Sequence, residues 1–246
     1  MLSIIYEDKD ILALNKPAGI VVHPDKFHPP AGESVSLIEE VLEKYPEIKS
    51  VGDLSTNSVQ GINRPGVVHR LDKETSGIIL IAKNQNAFEY LKKQFQERKI
   101  EKHYKVLVMG NVKDDEGVID LPIGRSSANP TLRVAKGKMR GKIREARTEY
   151  KVLKRFAPPA GGYTLLEAVP KTGRTHQIRA HFKALGHPVV CDRLYSGKRF
   201  VCPAGLERHF LHASSIELTL PSGSRTRLEA GLPKDLERVL NFLKWT

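Results

Sequence analysis

Two periods of apolar residues organise the chain. Residues 11–14 and 20–22 are short apolar runs separated by Asn15-Lys16-Pro17-Ala18-Gly19, and the Pro and Gly between them predict strand, turn, strand, a hairpin-like start. Over residues 34–45, Val35, Leu37, Ile38, Val41 and Leu42 recur at helical spacing with glutamates between them, which predicts a helix capped by Ser34. Residues 49–65 are polar and rich in Ser, Asn and Gly, a surface loop leading to the unbroken apolar run Ile78-Ile79-Leu80-Ile81-Ala82, a buried strand. Phe88, Leu91 and Phe95 at i, i+3 and i+7 predict an amphipathic helix over residues 84–98, and a strand follows at 103–108.

Residues 122–147 break the pattern. They are crowded with Arg, Lys and Gly and nearly free of large apolar side chains, so they cannot be core and are expected to form an exposed basic arm or hairpin. Strands are predicted at 148–153 and 163–169, then a helix over 176–185 that Gly186 terminates in a left-handed conformation, a strand at 214–220 and a short helix at 234–243. No internal repeat occurs, and no linker is polar enough to force a boundary. The 246 residues are expected to form one domain that includes the arm.

Charge changes this picture. Forty Lys and Arg against 28 Asp and Glu give a formal net charge of +12, which favours a polyanionic partner bound through phosphate contacts and counterion release. No run is apolar enough to span a membrane, and the first eight residues lack the basic-then-apolar pattern of a secretory signal, so the expected compartment is the cytoplasm. Cys191 and Cys202 stand eleven positions apart without a CxxC pair, and free thiols are expected. His176, His181 and His187 lack any known ligand spacing such as HExxH, so no metal is expected.

Three segments carry candidate chemistry: Gly66-Val67-Val68-His69-Arg70-Leu71-Asp72-Lys73-Glu74-Thr75-Ser76-Gly77, Lys102-His103-Tyr104-Lys105, and Lys171-Thr172-Gly173-Arg174-Thr175-His176-Gln177-Ile178-Arg179. Taken alone, Asp72 is an ordinary turn or capping carboxylate, Tyr104 a half-buried strand tyrosine and Arg179 a surface cation on a helix. Together the segments resemble the RluA-like family of pseudouridine synthases, whose signature HRLDxxTSG is present in full as His69 to Gly77. Further family segments occur in family order: Asp10 to Gly19 followed by Val21-Val22-His23-Pro24, the Thr172 to Arg179 stretch, Ala184-Leu185-Gly186-His187-Pro188 and Arg208-His209-Phe210-Leu211-His212-Ala213. The resemblance covers essentially the whole chain.

The resemblance implies an α+β fold, with a mixed, mainly antiparallel central sheet, flanking helices and a basic cleft holding Asp72. It implies that Asp72 is the catalytic aspartate, that Tyr104 stacks on the loosened uracil near C5, and that Arg179 pairs with the aspartate. A carboxylate suits that reaction, because breaking C1′–N1 develops oxocarbenium character on the ribose that a carboxylate stabilises or captures. Arg70 matches the residue that enters the stack vacated by the flipped base, and its planar guanidinium suits stacking and phosphate contact. His69 is expected beside it at the RNA. The turn before the 176–185 helix, with Lys171, Arg174 and Thr175, is a plausible phosphate contact.

The expected activity is isomerisation of specific uridines in ribosomal or transfer RNA to pseudouridine, with no cofactor, since the reaction is redox-neutral and no nucleotide-binding fingerprint occurs. A monomer is the default expectation. Cys191 and Arg193 depart from the family, which more often has Gly and Pro there. Relatives often carry an N-terminal S4-type RNA-binding domain, and family segments here begin by Tyr6, so none is expected. The competing classes are a non-catalytic RNA-binding protein and a Ser/His/Asp hydrolase; intact Asp72, Tyr104 and Arg179 argue against the first, and the absence of a GxSxG elbow against the second.

Overall fold

The computed structural model describes residues 2–23, 36–53, 64–156, 162–197 and 200–244. They form two compact units, one of residues 1–100 with 215–231 and one of residues 101–214 with 232–246. No polar linker marks the division; the chain changes unit at residues 100/101, 214/215 and 231/232.

In the first unit, β1 (Ile4–Glu7), β2 (Ile11–Lys16) and β3 (Ser76–Ala82) pair antiparallel in that order, with Leu12 opposite Ile81 and Lys16 opposite Gly77. Ile11 to Leu14 and Ile79 to Ala82 are wholly buried. Burial on both faces explains why these runs are continuously apolar instead of alternating. The hairpin at the start is therefore β1–β2, not the expected pairing of 11–14 with 20–22: Ile20–Val22 is not a strand, and its carbonyls are used in tertiary hydrogen bonds instead. The first helix, α1, is Leu37–Lys44, and its cap is Ser36, not Ser34, which lies outside the described residues. Ser36 forms a capping box with Glu39, the arrangement that satisfies two otherwise unpaired N–H groups at once. The polar stretch after it begins as a 3-10 turn, Pro46–Ser50. The second helix, α2 (Gln85–Gln96), is capped by Asn84 and buries Phe88 and Leu91 as its period requires.

In the second unit, β4 (Glu101–Met109), β10 (Tyr163–Pro170), β9 (Arg147–Phe156) and β5 (Glu116–Asp120) pair antiparallel in that order. Alternation along β4 serves two faces: Val106 and Val108 pack with Ile178 and Phe182 of α3 (Gln177–Ala184), while Leu107 packs with Leu236 and Val239 of α4 (Lys234–Lys244). The basic stretch is more than a hairpin. It holds β6 (Ile123–Ser126), β7 (Arg133–Val134) and β8 (Met139–Arg144), a three-stranded antiparallel sheet in the order β7-β6-β8, with Ile123, Ala135 and Ala146 buried against Ala180 and Tyr195. The last strands, β11 (Leu211–Thr219) and β12 (Arg225–Glu229), pair antiparallel through the later half of β11.

Cys191 and Cys202 are joined in a disulfide, which corrects the expectation of free thiols. The Cys191 N–H donates to the Val201 carbonyl at 3.0 Å, so the chain doubles back and brings the two Cα atoms to 4.7 Å, within bonding reach. Spacing along the sequence does not reveal that return. Among the described residues no helix is long and apolar enough to cross a membrane.

Candidate active site

The signature segment enters the first unit at Gly66, whose φ of +67° and close surroundings both require glycine: an added β-carbon would lie 2.5 Å from the Ala82 carbonyl oxygen. His69 then turns inward. Its Nε2 accepts the Leu80 N–H at 2.9 Å and its ring lies against Phe95, so it holds the segment to β3 as a neutral imidazole. Arg70 is exposed, Leu71 is buried and Asp72 is half-buried. Asp72 opens a turn closed by the Thr75 N–H donating to its carbonyl at 3.0 Å, with Thr75 and Ser76 buried beneath it.

That turn is clamped from below by Lys16. Its ammonium has no exposed surface and donates to the carbonyls of Pro17 (2.7 Å), Ile20 (2.9 Å) and Lys73 (3.0 Å), and the Gly19 N–H donates to the same Lys73 carbonyl at 3.0 Å. Three N–H donors meeting three carbonyls offset the cost of burying the lysine ammonium. Lys16 therefore couples the Asn15–Gly19 turn to the residue next to Asp72. Sequence reading placed Lys16 in a family segment but gave it no role, because an isolated lysine carries no sign of burial.

In the second unit Arg179 is 4% exposed and held in a fork: Nε lies 2.7 Å from Asp192 Oδ2 and Nη2 2.9 Å from Oδ1. Asp192 is itself fixed, since Oδ1 accepts the Leu194 and Tyr195 N–H groups. The guanidinium carbon sits 4.9 Å from the centre of the Tyr195 ring, and the Tyr195 hydroxyl lies 3.0 Å from His176 Nδ1 and accepts the Arg133 N–H at 3.0 Å. Planar stacking and a bidentate carboxylate fix a guanidinium more tightly than either alone. Asp192 and Tyr195 went unrecognised in the sequence; both follow Cys191 in the segment that departs from the family.

Tyr104 is half-buried on β4 opposite Ala168 and packs against the core beneath α3. Two residues before it, on the same strand face, burial pushes the Lys102 ammonium down to about 8 although part of its side chain remains accessible. Lys171, expected as a phosphate contact, is held in two ion pairs: its Nζ lies 3.0 Å from Glu101 and 3.1 Å from Glu149. Those hydrogen bonds raise its pKa against the opposing effect of burial, and hold the Glu101 carboxyl below the usual range. Arg174 and Thr175 do sit together at the rim of the three-stranded sheet. Gln177 locks that turn in place: its Oε1 accepts from Thr172 Oγ1 (2.7 Å) and the Arg174 N–H (3.0 Å), and its Nε2 donates to the Arg147 carbonyl and Thr148 Oγ1, both at 3.0 Å. His176 starts α3 with a left-handed φ of 56°.

Residues 10–184 match the family model described as RNA pseudouridylate synthase. A protein of Aquifex aeolicus called an uncharacterized RNA pseudouridine synthase is 47% identical over 83% of this chain and 59% of its own length. Ribosomal large subunit pseudouridine synthase C of Vibrio vulnificus is 37% identical over 98% of this chain and 69% of its own. The chain thus spans about two thirds or less of the length of such curated relatives. The solved structure of human RNA pseudouridylate synthase domain containing 1 superposes with a TM-score of 0.71 at 24% identity, covering 100% of this chain and 96% of that one. That likeness shows the fold, a mixed, mostly antiparallel sheet with four helices among the described residues, in agreement with the α+β architecture that the resemblance implied. The extent of the family match and the identity to these relatives show that the chain belongs to the RNA pseudouridylate synthase family.

Proposed function

We propose that the protein is an RNA pseudouridine synthase that isomerises specific uridines of structured RNA. Ribosomal RNA is favoured over transfer RNA as the substrate, because relatives matching nearly the whole chain are named ribosomal large subunit pseudouridine synthases C and D. The observation that carries the reading is the signature turn: a buried lysine and a glycine N–H converge on one carbonyl and fix the backbone next to a half-buried Asp72. A nucleophile or an electrostatic stabiliser requires such fixed placement, since misplacement by an ångström costs orders of magnitude in rate.

In this reading the target base flips out and C1′–N1 breaks, with Asp72 stabilising or capturing the developing positive charge at C1′. The uracil rotates, C5 bonds to C1′, the C5 proton leaves to solvent and N1 gains a proton. The balance is an isomerisation, so no cofactor is needed. Tyr104 supplies the ring and hydroxyl near C5, Arg179 acts on the catalytic carboxylate, and Arg70 occupies the vacated stack.

The test is tritium release from RNA labelled at uridine C5, using ribosomal and transfer RNA pools with wild type and Asp72→Asn. Release by wild type alone is the expected result. Release by the variant at the wild-type rate would remove Asp72 from the chemistry, and RNA binding without release by either protein would favour a non-catalytic RNA-binding protein.

A further inference from the structure

The cavity beside the three-stranded sheet is walled by Arg125, Arg133, Lys142, Arg144 and Arg174, with Thr175 also in its lining and a volume of about 500 Å³. Among the described residues its lining contains no carboxylate. The strand register adds to the charge: Arg125 on β6 lies directly opposite Arg133 on β7 and Arg140 on β8, three guanidinium side chains in one row across the sheet. Like charges directly opposite one another destabilise a strand pair. Burial, and then the charge of Arg125, lower the Arg133 pKa, as expected for cations crowded without a counterion.

Neighbouring cations of the same unit are treated differently. Lys171 sits between Glu101 and Glu149, Arg147 lies 3.4 Å from Asp120, and Arg155 lies 2.7 Å from Asp115. Among the described residues none of Arg125, Arg133, Arg140, Lys142 or Arg144 has a carboxylate within ion-pair distance. The cavity is also rigid where it matters. Arg174 Nε donates to the Glu145 carbonyl at 3.0 Å, Gln177 locks the turn that carries Arg174, and the Arg133 backbone is tied to Tyr195. Gly173 and Gly141 have open space where a side chain would stand, so a ligand can approach the backbone there.

We propose that this cavity is a binding site for the phosphodiester backbone of RNA, seating a stretch of the substrate strand. It rests on the RNA reading above and deepens it. Cations strung across three strands and a turn match an extended polyanion with separated charges, whereas a compact dianion is held by donors converging on one point. The preformed cavity supplies affinity with little ordering cost. The sheet therefore serves as a clamp on the substrate strand and sets affinity and its salt dependence.

The experiment measures RNA affinity as a function of salt for wild type, Arg125→Gln/Arg133→Gln/Lys142→Gln, and Arg227→Gln, a cation outside the cavity paired with Glu217 and Glu229. Loss of three phosphate contacts should weaken binding at least ~10-fold and reduce the slope of log K against log salt by about 2, with Arg227→Gln unchanged. Unchanged affinity and slope in the triple variant would overturn the proposal. So would a fall in its melting temperature large enough to mark the row as structural, since relief of like-charge crowding should leave stability equal or higher. Competition by inorganic phosphate is the second arm: millimolar phosphate that occupies the cavity while RNA stays bound would make it a small-anion site and overturn the RNA assignment. Wild-type tritium release is read in parallel. Its absence with cavity-dependent RNA binding intact would sink the activity and leave the clamp standing.

Discussion

Lys16 and Arg125 carry the same charge and meet opposite fates. Lys16 has no exposed surface, and its ammonium is matched by three carbonyls that it holds in a fixed arrangement under the Asp72 turn. Arg125 is exposed and stands in a row with two other arginines and no described carboxylate. A buried cation with every donor matched shapes the backbone, because moving any partner leaves a desolvated group unpaired. An exposed cation facing like charges contributes nothing to the fold and becomes useful only when an anion arrives. Arg179 belongs with Lys16, forked onto Asp192 and stacked on Tyr195. The protein thus uses one charge type to position the site and to hold the substrate, and burial divides the two uses.

The largest effect should come from breaking a buried charge pair. Asp192→Ala leaves the Arg179 guanidinium without its fork and is expected to destabilise by about 3–5 kcal/mol, measured by urea unfolding. Lys16→Met is next. Loss of the buried ammonium that donates to three carbonyls should cost about 3 kcal/mol. It should also lower turnover in whatever protein remains folded, because the Lys73 carbonyl next to Asp72 loses its anchor. Wild-type stability in either variant would erase the distinction between positioning and binding charges.

How much of this was legible beforehand depends on the range of each interaction. The strand Ile78–Ala82, the helices around Phe88 and Phe182 and the Gly186 terminator are set by local period and turn chemistry, and the structure has them where the pattern put them. The start was misread because Ile20–Val22 looks like a strand but is used as irregular backbone for Lys16 and α1. The signature segments single out Asp72, Tyr104 and Arg179 as the residues whose roles are proposed. They could not show that Lys171 is matched by Glu101 and Glu149, residues 70 and 22 positions away, or that Asp192 forks Arg179. The arm was legible as charge but not as a sheet, since its small core of Ile123, Ala135 and Ala146 is completed by Tyr195 from a distant segment.

The disulfide bears on the same network at a smaller scale. It closes a loop between residues eleven apart that contains Asp192 and Tyr195. Reduction, or Cys202→Ser, should lower stability by roughly 2–3 kcal/mol, read as a shift in unfolding midpoint with and without a thiol reductant. An identical midpoint under both conditions would detach the bond from the loop that fixes Arg179.

A weaker, pH-dependent contribution should come from His181, buried on α3 with Nδ1 2.9 Å from Thr148 Oγ1 and Nε2 3.0 Å from the Leu121 carbonyl. Burial, partly opposed by the Leu121 carbonyl and Asp120, holds its pKa below the ordinary 6.5. The unfolded chain therefore takes up a proton at a higher pH than the folded one. The His181 contribution is complete above 6.5 and is lost as pH falls through the lowered folded value. In His181→Gln the difference in stability between about pH 7 and about pH 5 should be smaller than in wild type. An equal difference would assign the acid sensitivity to other groups.

The smallest effect is the one that most sharpens the comparison. Arg140→Gln removes a charge that has no described ion pair and faces Arg125, so stability should stay within ~0.5 kcal/mol of wild type, with relief of repulsion favouring the upper side. The same substitution made at a buried cation would be ruinous, and charge alone does not tell the two apart. A loss above ~1 kcal/mol in urea unfolding would place Arg140 among the cations that build the fold. Near-neutral stability combined with weaker RNA binding would locate its work in the complex, where the row of arginines acquires the counterions that the free protein lacks.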